Sequence, residues 1–66
     1  MNITVNGKLK EINDCNNVEQ LVSSLFEKNA GIIVELNEEI IKRDHWKKQP
    51  LQEGDSIQLI QFIGGG

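Results

Sequence analysis

Val18, Leu21, Val22, Leu25 and Phe26 recur at the i, i+3, i+4, i+7, i+8 spacing of one helical stripe, while Glu19, Ser23, Ser24 and Glu27 fall on the other side. Asn17 followed by Gln20 supplies a start, since the Asn17 side chain accepts a first-turn backbone N–H and Gln20 reaches back to cover another. Lys28, Asn29 and Gly31 supply the stop. One amphipathic helix cannot bury its stripe alone. The rest of a 66-residue chain must furnish a sheet for it to lie across.

The flanking segments read as strands. Ile3 and Val5 alternate with Asn2, Thr4 and Asn6, and Asn6-Gly7 is a two-residue hairpin signal, so a strand over about Lys8 to Ile12 returns antiparallel. Its register stays open: a two-residue turn places Leu9 on the face opposite Val5, and a three-residue loop brings both to one face. Ile32 to Leu36 is short and β-branched, with Ile32, Val34 and Leu36 on one face. Asn37, Glu38 and Glu39 turn into a brief strand at Ile40 and Ile41, and Asp44 to Lys48 can wind a single helical turn before Pro50. Glu53-Gly54-Asp55 then turns into a last strand, Ser56 to Ile63, in which Ile57 and Leu59 share one face and Ile60 and Phe62 the other. The order predicts an α+β domain over 1–63, with a mixed sheet of four to five strands on one helix and a glycine tail at 64–66. The first and last strands are expected side by side and parallel at the centre.

A chain this short is one domain near the lower size limit for folding without staples, so its apolar residues are nearly all needed for one core. With 38% hydrophobic residues and a net charge of −3 it reads as a soluble globular domain, and it lacks the basic footprint of a duplex nucleic-acid binder. No apolar run approaches a membrane span and the start has no signal-peptide pattern, which makes the cytoplasm the expected compartment. The single cysteine, Cys15, has no partner for an internal disulfide or a metal pair.

Few residues offer chemistry. His45, the lone histidine, lies beside Trp46 in a basic stretch and reads better as a surface or packing residue than as a catalyst. Lys42, Arg43, Lys47 and Lys48 around Trp46 resemble an RNA patch with a stacking ring, but a single tryptophan in a small domain is better read as a packing anchor. Cys15, just ahead of the helix, could accept a persulfide; loop cysteines are more often incidental. No metal-ligand spacing, phosphate loop or dinucleotide fingerprint is present.

The end of the chain is different. Gly64, Gly65 and Gly66 follow directly on an apolar strand with no polar spacer, and their missing side chains let a backbone pass where another sequence would clash. A frayed or engineered terminus is the plainer alternative. A terminal carboxylate at Gly66, ionised at neutral pH, can attack the α-phosphate of ATP and form an acyl-adenylate. Ile60 and Phe62, turned away from the helix just ahead of the tail, are expected to form a partner-docking patch, against the alternative of ordinary surface scatter.

Asn6-Gly7, the helix from Val18, Leu36-Asn37 followed by Ile40-Ile41, Arg43 and Trp46, Leu51 with Gly54-Asp55, and terminal Gly65-Gly66 together resemble the ThiS family of sulfur carriers in the ubiquitin-like β-grasp group. The resemblance covers the whole chain; Gly64, which makes the end a triple glycine, and Lys42, where the family often has proline, depart from it. It implies a β-grasp carrier and not an enzyme, whose Gly66 is adenylated by a ThiF-type adenylyltransferase and converted to a thiocarboxylate with sulfur from a cysteine desulfurase. A ThiG-type thiazole synthase would then take the sulfur for thiamine. ATP and magnesium would be held by the adenylyltransferase, and the carrier itself would bind no cofactor, nucleic acid or membrane. Two alternatives use the same fold: a carrier for molybdopterin or tRNA thiolation, which the short chain disfavours, and a non-covalent interaction module with idle glycines.

Overall fold

The computed structural model describes residues 1–27 and 31–62. Its elements are β1 (Asn2–Val5), β2 (Lys8–Glu11), α1 (Val18–Leu25), β3 (Ile32–Leu36), β4 (Glu39–Ile41), a 3-10 turn over Arg43–Lys48, and β5 (Ser56–Gln61). The five strands form one sheet in the order β2-β1-β5-β3-β4. β1 and β5 run parallel, with Thr4 beside Ser56 and Val5 beside Ile57, as expected. β3 pairs antiparallel with β5 and with β4.

The open register is settled by the turn. Thr4 pairs with Leu9 and Val5 with Lys8, so Asn6 and Gly7 alone make the corner, and both take the positive φ (51° and 82°) of a type I′ turn. Leu9 therefore shares the face of Thr4, opposite Val5, and is 76% exposed. Asn37 (φ 50°) and Glu38 (φ 72°) make a second two-residue corner between Leu36 and Glu39.

The start of α1 follows the sequence closely. Asn17 Oδ1 accepts the Gln20 N–H at 2.8 Å, and Gln20 Oε1 reaches back to the Asn16 N–H at 2.6 Å. The end does not. The helix stops at Leu25, and Phe26 is already extended (φ −132°, ψ 134°), although its N–H still closes on the Val22 carbonyl. Phe26 thus reaches the core margin from a non-helical backbone, and Leu25 is left 37% exposed. Of the expected stop residues, Lys28 and Asn29 lie outside the described residues, as do Ile63 and the glycine tail, while Gly31 takes a left-handed φ of 74°.

Val18, Leu21 and Val22 bury the helix face against Ile3, Ile32, Val34, Leu36, Ile57 and Leu59 of the sheet, and Trp46 and Leu51 complete the cluster. Trp46 is 1% exposed and donates its indole N–H to the Ile41 carbonyl at 2.9 Å, which satisfies the ring's one polar atom.

Candidate functional site

The strand that runs toward the tail is fixed more firmly than strand pairing alone requires. At its start, the Ser56 N–H donates to Asn37 Oδ1 (3.0 Å), and the Asn37 N–H donates to the Ser56 carbonyl (2.7 Å). Asn37 Nδ2 also donates to Asp55 Oδ1 (3.1 Å), while Asp55 Oδ2 accepts the Gln52 N–H (2.8 Å). Past the end of β1, where the ladder runs out, Asn6 Oδ1 accepts the Leu59 N–H at 2.8 Å. The Phe62 N–H then donates to the Gly31 carbonyl at 2.9 Å. Gly31 has φ 74°, and a Cβ there would stand 3.4 Å from the Phe62 carbonyl oxygen. Residues 64–66, including Gly66, lie outside the described residues, so the structure describes the strand that leads to them and not the tail itself.

Residues of β5 alternate between the two faces of the sheet. Ile57 and Leu59 are in the core, whereas Ile60 and Phe62 are 41% and 63% exposed, as the alternation predicts. Two further residues, which sequence reasoning did not single out, join them. Ile33 is the direct cross-strand partner of Ile60, and Ile40, 67% exposed, pairs with Glu35 on the same outer face. The signal for Ile33 was present, since it sits out of phase with Ile32 and Val34. Ile40 was hidden, because two adjacent isoleucines do not say which one faces in. Glu35 lies on the same face between its two cross-strand partners, Gln58 and Ile40, so a polar pair adjoins the isoleucines.

The other candidates are elsewhere. Cys15 is half-buried, with its sulfur 3.9 Å from Ser24 Oγ. His45 is exposed on the 3-10 turn. The Trp46 ring that would stack a base is inside the core, with the Arg43 guanidinium 5.6 Å from its centroid, so this basic segment has no free aromatic platform at Trp46. Among the described residues no group of three His, Cys, Asp or Glu side chains is placed to hold a metal ion. No helix among them is long and apolar enough to cross a membrane.

Comparison with known proteins bears on the same features. The chain is 32% identical to the sulfur carrier protein ThiS of Escherichia coli over 66 residues, spanning 100% of both chains. The crystal structure of a thiamine biosynthesis protein (ThiS) from Geobacter metallireducens superposes with a TM-score of 0.82 at 36% identity, again over 100% of both chains. A thiazole synthase of Paramagnetospirillum magneticum matches all of this chain at 29% identity over 20% of its own length. The family model described as the ThiS family matches residues 3–66, from the first strand to the last glycine. With its five-stranded mixed sheet packed on one helix and a match of that extent, the chain has the β-grasp fold and belongs to the ThiS family.

Proposed function

We propose that this protein is the sulfur carrier of thiazole formation, and that its own part in the chemistry is to present Gly66. The observation that carries the reading is the full-length match to a sulfur carrier protein ThiS, which runs to the last glycine. The Gly66 carboxylate oxygen attacks the α-phosphorus of ATP, the bond to the β-phosphate oxygen breaks, and pyrophosphate leaves. The terminal sulfur of a cysteine desulfurase persulfide then attacks the acyl carbon and AMP departs, leaving an acyl disulfide. A thiol cleaves its S–S bond, leaving the thiocarboxylate on Gly66 and a disulfide on the thiol side. Catalytic groups, ATP and magnesium belong to a ThiF-type adenylyltransferase, and the carrier is its co-substrate. A thiazole synthase as acceptor is supported by the relative of that name that contains a matching segment within one polypeptide.

The outer face of Ile33, Ile40, Ile60 and Phe62 is the docking surface in this scheme. It is built in part on β5, the strand that leads to the tail, so a partner seated there lies close along the chain to the glycines. Narrow passage to the α-phosphate excludes water and side chains, which is why glycine is needed at 65 and 66. The test is Gly65→Val and deletion of Gly66. Both are expected to leave thermal unfolding unchanged and to abolish ATP-dependent pyrophosphate release with the adenylyltransferase. Mass spectrometry of the wild type should find one oxygen replaced by sulfur on the C-terminal peptide. Normal activation of either variant, or sulfur on Cys15 instead, would overturn the scheme.

A further inference from the structure

On the helix side of the sheet, an open groove of about 480 Å3 runs between the β1–β2 hairpin and the end of α1. Val5, Leu25, Phe26 and Leu59 give it apolar walls, and Lys8 and Lys10 line it from β2. Leu59 and Ile60 are neighbours on opposite faces of β5, so the groove and the docking face lie on the two sides of the strand that leads to the tail.

We infer that this groove is a second docking surface, and that it takes an extended, acidic segment of a partner protein with two carboxylates two residues apart and a large aliphatic side chain on the next position of the same face. Backbone geometry supplies the first part. The N–H groups of Thr4 and Asn6 point to β5, at 2.9 Å from the Asp55 and Ile57 carbonyls, so Thr4 does not use its N–H on Leu9. In an antiparallel ladder the backbone groups of Leu9 therefore face away from β1, along the outer edge of the sheet. β2 is an edge strand that an extended segment can continue.

Charge decides which segment. Lys8 and Lys10 are two residues apart on one face of β2, roughly 7 Å along the strand. An added strand has the same period, so carboxylates on two successive groove-facing positions meet the ammonium groups while an aliphatic side chain on the next such position enters the apolar groove. Lysines on an edge strand repel apolar or basic strands and so deter self-association. The same two charges admit an acidic strand, which makes them a filter and not a block. The chain as a whole carries −3, so the attraction is local to the two lysines, and it weakens with salt.

The test is a titration of 15N-labelled protein with the peptide acetyl-Ser-Glu-Ser-Glu-Ser-Leu-Ser-amide, followed by NMR at low salt. Shifts are expected at Lys8 to Lys10, Leu25, Phe26 and Leu59 and not at Ile33, Ile40 or Ile60. The Lys8→Glu/Lys10→Glu variant, which changes only exposed side chains and should melt as the wild type does, is expected to bind at least tenfold more weakly. A peptide with lysine in place of both glutamates should not bind. No shifts at millimolar peptide, equal binding of the lysine peptide, shifts confined to the outer face, or the same shifts produced by inorganic phosphate would each overturn the inference. Activation of Gly66 does not enter this measurement, so its outcome is independent of the sulfur-carrier scheme.

Discussion

Replacing Asn37 should cost this protein more than any other exposed side chain, because three separate roles meet there. Its left-handed backbone (φ 50°) disfavours an ordinary L-residue by about 1 kcal/mol relative to asparagine. Its amide holds the Ser56 N–H at 3.0 Å and the Asp55 carboxylate at 3.1 Å, bonds worth roughly 0.5–1 kcal/mol each where water can compete. Asn37→Ala removes all three, for a loss of about 2–3 kcal/mol. With unfolding entropy near 2.1 cal/mol/K per residue, a 66-residue chain loses about 7 °C in Tm per kcal/mol, so a fall of roughly 14–21 °C is expected. Asn37→Gly relieves the backbone strain but loses the amide and gives the unfolded chain about 0.5–1 kcal/mol more freedom, so it should fall nearly as far. Asn37→Asp keeps an acceptor for Ser56 but sets a carboxylate against Asp55, so its loss should shrink with added salt. Thermal unfolding followed by circular dichroism reads all three. If the Tm of the alanine variant fell by less than 5 °C, or if the loss in Asn37→Asp did not shrink with salt, the assignment of these roles would be wrong.

Ile60→Ser with Phe62→Ser should weaken binding to the adenylyltransferase at least tenfold in a titration, with Tm lowered by only a few degrees because both side chains are already exposed. Cys15→Ser should leave sulfur transfer intact in a reconstituted assay, since its thiol packs at the core margin 3.9 Å from Ser24 Oγ and the acceptor is a carboxylate. Glu38→Gly, at φ 72°, should raise stability by about 0.5–1 kcal/mol in urea unfolding, relief of the left-handed backbone outweighing the greater freedom of the unfolded chain.

The sequence was most legible where a local rule decides the outcome. The Asn17 cap, the stripe from Val18 to Val22 and the Asn6-Gly7 corner each depend on a few neighbouring residues, and the structure contains all of them. Alternation in β5 likewise separated Ile57 and Leu59 from Ile60 and Phe62. What stayed hidden depends on partners distant in sequence. Leu9 was ambiguous because one extra loop residue would reverse its face. Phe26 kept the helical period but left the helix, which periodicity cannot register. The motif residues Asn6, Asn37 and Asp55 looked like turn formers, and their second task, holding β5 from outside its ladder, is visible only once strands far apart in sequence are neighbours.

The central strand of the sheet is also the last one made. β5 lies between β1 and β3, so during synthesis the first hairpin, the helix and the β3–β4 pair must wait with their apolar faces exposed until Ser56 to Gln61 have left the ribosome. The gap is closed from within the sheet and not at its margin, so a nascent chain interrupted before that point has no smaller folded state with the same core. Pairing residues near the two ends of the chain also makes the rate-determining contacts long-range, which slows folding relative to a helical domain of equal length. A chain that has built this core has already made the strand that leads to the glycines, and products truncated before β5 are left open to proteolysis.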